Sequence, residues 1–255
     1  MPISRTFAHL VCASLLLSSS GKHVASAERP ESPADPQKLS YRIEWRLVTA
    51  GTANLAFTHP SGNGWQIDLD IESAGLVTRL YKVADKYKVI SNDRFCPATV
   101  DLDAEEGKRH TITHLGFDQS RHKVSYDERD LVRNAVHKKE LDIPPCTHEI
   151  AGALAALAQM NLEPGHSAYL PVTDGKKVVS AKIEALAKET VNIDGKSYPT
   201  IRYEAFLFDN VLYKRKGRLF LWLTDDPDKT AVQFRIQLGF PIGTISLELE
   251  KQQKL

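Results

Sequence analysis

The residues best equipped for chemistry are few and poorly assembled. Asp225-Asp226-Pro227-Asp228 places three carboxylates within four residues, and a hard cation such as Ca2+ takes six to eight such oxygens. Asp and Pro are equally what a tight turn requires, and the run joins two strand patterns, so a structural turn is the plainer reading. His110 and His114 look like a metal pair, yet four residues of strand span about 13 Å, too far for two ligands held at about 2 Å from one ion. The intervening Thr111-Ile112-Thr113 favours strand over the helix that would bring them together. No His-Glu-x-x-His occurs, and both histidines read as exposed or locally satisfied. Asp101-x-Asp103 and Glu105-Glu106-Gly107 offer paired carboxylates of the kind a glycosidase uses, but a polar hairpin loop explains them more simply. There is no Gly-x-Ser-x-Gly elbow and no Ser or Cys in a context that marks an activated nucleophile. Trp45, Trp65 and Trp222 can line a ligand trough, although each lies on an apolar strand face where core packing accounts for it. No catalytic, metal or cofactor site is expected.

The address is clearer than the chemistry. Arg5, the apolar run from Leu10 to Leu17 and the small-x-small motif Ala25-Ser26-Ala27 make residues 1–27 a signal peptide with cleavage after Ala27. Cys12 lies inside the apolar segment after Val11, which argues against a lipid anchor. A periplasmic, soluble mature chain is the expectation. Losing Arg5 and Lys22 leaves 31 basic residues against 32 acidic ones. That near-neutral balance lacks the basic field of a nucleic-acid binder. No later apolar run approaches the roughly 20 residues of a membrane-spanning helix. Cys96 and Cys146 are then the only cysteines in an oxidising compartment, and an even count there reads as one disulfide, with two separate buried thiols as the rival. With 49 residues between them, the chain-entropy argument puts such a bridge at roughly 4 kcal/mol.

The elements that must position these residues are mostly strands. Residues 28–38 carry three prolines and no periodicity, and read as a flexible arm before a single β-rich domain over 39–255. Tyr41, Ile43, Trp45 and Leu47 alternate with Arg42, Glu44 and Arg46, and Gly51 is expected to turn the chain toward Leu55 and Phe57. Trp65, Ile67, Leu69 and Ile71 alternate with Gln66, Asp68, Asp70 and Glu72, after hairpin chemistry at 61–64. The same period returns at Val232, Phe234, Ile236 and Leu238, and at Ile245, Leu247 and Leu249, which predicts half-wet antiparallel strands. Leu219-Phe220-Leu221-Trp222-Leu223 is apolar on both faces, which predicts a central strand covered on both sides. Weaker strand patterns cover about 85–100, 108–118, 121–137, 166–172, 176–187 and 197–208. One convincing helix follows Cys146, carried by Ile150, Leu154, Leu157 and five alanines and stopped by Pro164-Gly165; a short second one fits 73–82. One helix cannot cover that much apolar strand surface. The expected fold is mainly β, a single curled antiparallel sheet, an open barrel or sandwich-like, around one central α-helix.

Tyr41-Arg42-Ile43-Glu44-Trp45 leading into Ala50-Gly51-Thr52-Ala53, Asp85-Lys86-Tyr87, Pro164-Gly165 with Leu170-Pro171-Val172, and Lys216-Gly217-Arg218-Leu219 running into Trp222-Leu223-Thr224-Asp225-Asp226 resemble a family of exported bacterial proteins known only as domain of unknown function 3108. The resemblance spans roughly 39–250. It implies a signal peptide, a mostly antiparallel β fold and no assigned activity, and it carries over no catalytic residue. Thr230-Ala231-Val232 departs from the family's habit of a proline before the valine, which leaves the turn after Asp228 open. Within the family the Cys96 and Cys146 pair belongs to one branch, so the disulfide rests on the compartment.

The functional expectation is a non-enzymatic envelope protein that binds an apolar or amphipathic component, a lipid or glycan intermediate, in the trough between sheet and helix. Two alternatives stand beside it: a structural or partner-docking module engaging another envelope protein, and a hydrolase whose carboxylates meet only in the fold.

Overall fold

The computed structural model describes residues 36–60 and 64–255. The expected signal peptide, its cleavage point and the arm from 28 to 35 lie outside the described residues, as do 61–63. The strands are β1 (Gln37–Trp45), β2 (Val48–Thr58), β3 (Trp65–Ser73), β4 (Val83–Ser91), β5 (Pro97–Glu106), β6 (Arg109–Asp118), β7 (Lys123–Asp130), β8 (Ala135–Asp142), β9 (Ser167–Thr173), β10 (Val178–Ile193), β11 (Lys196–Ala205), β12 (Gly217–Thr224), β13 (Ala231–Leu238) and β14 (Thr244–Lys254). Two helices accompany them, α1 (Gly75–Leu80) and α2 (Ile150–Ala158). All fourteen strands form one sheet in the order β8-β7-β6-β5-β4-β3-β2-β1-β14-β13-β12-β11-β10-β9. Each neighbouring pair is antiparallel. The chain's first and last strands pair in the middle of the order, and β8 and β9 end it, so the sheet is not closed into a barrel.

The sheet curls because its apolar faces need cover that a single nine-residue helix cannot supply alone. α2 sits inside the curl. Its Ala151 and Ala155 join Trp65, Ile67, Val89, Phe95 and Val124 from the β1 to β7 half, while its Ala156 and Leu157 join Leu170, Ile183, Ile201 and Tyr203 from the β9 to β12 half. The doubly apolar β12 divides the same way. Leu221 and Leu223 face the second cluster and Phe220 and Trp222 the first, and Trp222 is only 4% exposed. Beyond the bulge at Ala185/Ala187, the end of β10 reaches back over the Phe220 and Trp222 face of β12. There Glu189 accepts from the Trp222 indole, and Asp194 receives Arg42 of β1 at 3.1 Å.

Several boundaries differ from the sequence expectation, each for a physical reason. Leu47 does not continue the face of Tyr41, Ile43 and Trp45. Trp45 pairs with Val48, so Arg46 and Leu47 form a two-residue turn with φ of 51° and 66°. Gly51 consequently does not turn the chain but lies inside β2. Any Cβ there would fall 2.1 Å from the Glu72 carbonyl oxygen, so the glycine permits close approach of β3. Gln37 and Lys38, assigned to the arm, belong to β1 through pairing with Lys254 and Gln253. The 85–100 pattern is two strands, because the Asn92 side chain accepts from the backbone N–H groups of Arg94 and Cys96 and turns the chain. The 121–137 pattern is likewise broken after Asp130, whose carboxylate accepts from Val132 and Arg133.

Candidate functional site

The most deeply buried carboxylate among the described residues is Glu149, 1% exposed, at the N-cap of α2. The segment leading to it is pinned on both sides. His148 exchanges backbone hydrogen bonds with Pro171 and Thr173 of β9, and its Nδ1 lies 2.9 Å from the Phe95 carbonyl, so the proton sits there. Burial lowers the His148 pKa and keeps the ring neutral. The Cys96 and Cys146 sulfurs lie at disulfide distance, 1.89 Å apart, joining the turn after β4 to this segment.

Glu149 then accepts from the backbone N–H of Ala151 at 2.6 Å, from that of Gly152, and from the Tyr87 hydroxyl of β4 at 2.9 Å. Burial pushes its carboxyl up to about 7, against the pull of those three donors. A Cβ at 152 would stand 2.6 Å from the Glu149 Oε1, so any residue but glycine there displaces the capping carboxylate. The two carboxylate oxygens are thus engaged by the helix they cap and by the strand they anchor it to. Their arrangement fastens α2 inside the sheet.

The residues singled out in the sequence do not converge. Asp225 pairs with Lys188 at 2.8 Å, Asp226 accepts from the Thr224 hydroxyl at 2.7 Å and from the Lys229 N–H, and Asp228 lies 3.7 Å from Lys254. These contacts define the turn left open after Asp228. The Asp101, Asp103 and Glu105 loop is instead the outward face of β5. Asp101 meets His114 and Asp103 meets His110 across the β5–β6 ladder, each at 2.7 Å, and Glu105 pairs with Lys82. Among the described residues, no cluster of His, Cys, Asp or Glu has the geometry to hold a metal. Trp65 and Trp222 are buried, and the Trp45 indole donates to the Ile242 carbonyl at 2.7 Å.

The outer surface is more informative than the interior. In an antiparallel meander the connections alternate between the two ends of the sheet. One end holds 46–47, 74–82, 107–108, 131–134, 174–177, 206–216 and 239–243; the other holds 59–60 and 64, and the turns 92–96, 119–122, 194–195 and 225–230. The first set contains ten Lys or Arg against two Asp, and the second five Asp against three Lys or Arg. Leu47, Leu76, Leu80, Tyr81, Leu131, Val132, Phe206, Tyr213 and Phe240 are all exposed at the first end; no large exposed apolar residue stands in the second set among the described residues. A surface cleft of about 260 Å³ also opens at the first end, lined by Glu44, Arg46, Leu47, Thr244 and Ser246.

The family profile described as "Protein of unknown function (DUF3108)" matches residues 40–250. The chain belongs to the DUF3108 family. No curated protein matches it significantly. Among solved structures, this DUF3108 protein is similar to a β-barrel-like protein of domain of unknown function DUF1849 from Brucella abortus, with 8% identity, a TM-score of 0.60, and 88% of this chain and 99% of that one covered. That likeness concerns the fold alone. A protein with a YmcC-like fold from Bacteroides fragilis overlaps at 7% identity, covering 88% of this chain and 98% of that one, with a TM-score of only 0.36. Among the described residues of this DUF3108 chain, no helix is long and apolar enough to cross a membrane.

Sequence reasoning missed both Glu149 and the asymmetric ends. An acidic residue immediately before an apolar helix was the available signal for Glu149. The ends needed strand direction, which only the full pairing order supplies.

Proposed function

We propose that this DUF3108 protein is an exported, non-enzymatic module of the cell envelope that works by docking through its outer surface. The observation that carries this reading is the position of α2: its Ala151, Ala155, Ala156 and Leu157 pack against both halves of the sheet, across the curl where an enclosed lipid or glycan would lie. The solvent-facing pairing of Asp101, Asp103, Asp225 and Asp228 with His and Lys side chains supports it against a carboxylate hydrolase. Native mass spectrometry and cross-linking in intact cells test it together. The expected result is protein free of stoichiometric lipid that cross-links through the end bearing Leu47 and Phe240. A lipid or glycan retained at one equivalent through purification returns the function to the trough.

A further inference from the structure

Three connections, 46–47, 74–82 and 239–243, stand side by side, because their strands are consecutive in the order β4-β3-β2-β1-β14-β13. Trp45 pairs with both Val48 and Ile245, and Gly51 with Ser73, so all three emerge from the same end. They present Leu47 at 94% exposure, Phe240 at 96%, and Leu76 and Leu80 at 67% each, with Tyr81 beside them. Leu76 and Leu80 are four residues apart on α1 and therefore share one face, and no residue of that helix is buried. Neighbouring exposed apolar side chains of this size are uncommon on a protein whose surface meets only water.

Leu47 makes the case sharpest. Its φ of 66° is a left-handed conformation that glycine or asparagine adopts at little cost and leucine does not. The position strains the backbone while placing the side chain in solvent, so neither turn chemistry nor burial accounts for leucine there. The tip is also held in place. Arg46 donates to the carbonyls of Ile242 and Pro241, and Trp45 to that of Ile242, which lashes the Leu47 turn to the Phe240 loop. A rigid pair of apolar tips loses little conformational freedom on insertion.

The charge around them selects the partner. The three connections contain Arg46, Arg79 and Lys82 and no Asp or Glu; with Lys82 paired to Glu105 of β5, Arg46 and Arg79 are the cations offered to a partner. Separate protruding tips, an aromatic ring and surrounding cations are the composition that favours the boundary between anionic headgroups and acyl chains. We infer that this end of the sheet docks on an anionic lipid bilayer, inserting Leu47, Phe240 and the Leu76-Leu80 face of α1 while Arg46 and Arg79 meet lipid phosphates. The inference rests on the docking reading above and names its partner.

Co-flotation of the intact protein, as purified from exporting cells, tests it with vesicles of phosphatidylcholine alone and of phosphatidylcholine mixed with phosphatidylglycerol. The wild type is expected to float with the anionic vesicles and to lose affinity in high salt. Leu47→Gly combined with Phe240→Ser is expected to lower partitioning about tenfold or more, with no fall in Tm because glycine relieves the left-handed residue. Equal flotation of the variant, or no flotation of folded wild type, overturns the inference. A photo-reactive amino acid at position 47 in cells separates the two levels. Capture of a defined protein partner without vesicle binding overturns the lipid inference and leaves docking standing, whereas no vesicle binding and no capture removes both.

Discussion

Two hairpins at opposite ends of the same sheet use the same backbone and opposite chemistry. At one end Asp194-Gly195 joins β10 to β11 with φ of 48° and 81°, and at the other Arg46-Leu47 joins β1 to β2 with φ of 51° and 66°. Asp-Gly is the pairing that such a two-residue turn favours. Arg-Leu is not, and it sits where the exposed apolar residues gather. The difference teaches that the second turn is tuned for what it displays, while the first is tuned for folding.

The largest expected effects lie in the interior that holds both ends in place. Glu149→Ala leaves three buried donors, from Tyr87, Ala151 and Gly152, without an acceptor and is expected to cost about 3 kcal/mol or more in urea denaturation. The same residue sets a pH dependence. Its pKa rises from 4.5 to about 7 on folding, so the folded state binds more protons than the unfolded one between those values. Its contribution is therefore fully present below about pH 4.5 and is lost as pH climbs toward 7, on the order of 3 kcal/mol in all. Subtracting the stability profile of Glu149→Gln from that of the wild type should isolate this slope; superimposable profiles contradict it.

An exchange of the two turns comes next and bears on the comparison itself. Replacing Arg46-Leu47 with Asn-Gly is expected to stabilise the protein by about 1–2 kcal/mol, and replacing Asp194-Gly195 with Arg-Leu to destabilise it by a similar amount. The reverse signs in thermal denaturation refute a display role for Leu47. The smallest effect is at the acidic end. Asp226→Ala should cost about 1 kcal/mol through its lost bonds to Thr224 and Lys229, and millimolar Ca2+ should leave the wild-type Tm unchanged. A Ca2+-dependent rise restores Asp225, Asp226 and Asp228 as a cation site.

How much of this was legible depends on whether the deciding force is local. β3 was readable because Trp65, Ile67, Leu69 and Ile71 alternate with polar residues along a half-wet sheet. β12 was readable because five consecutive apolar residues need cover on both faces, and α2 because Ile150, Leu154 and Leu157 recur at helical spacing among alanines that favour the conformation. Leu47 misled because the alternation from Tyr41 runs straight through a turn that carries no turn residue. Gly51 misled because its reason is the approach of Glu72 in another strand. The outward carboxylates of β5 passed for a loop, although Val100 and Ala104 on the opposite face are buried and mark strand. The cap at Glu149 had a local signal in an acidic residue before an apolar helix, but its burial and the contrast between the ends arise from tertiary pairing, which no local pattern encodes.

Environment-sensitive fluorophores placed one at a time at Phe240→Cys and Asp228→Cys, with the Cys96–Cys146 bond kept oxidised, compare the two ends directly on anionic vesicles. A blue shift and quenching by lipid-borne quenchers at position 240, with position 228 remaining in water, is the predicted result. Equal responses at both positions, or a response at 228 alone, contradict the account.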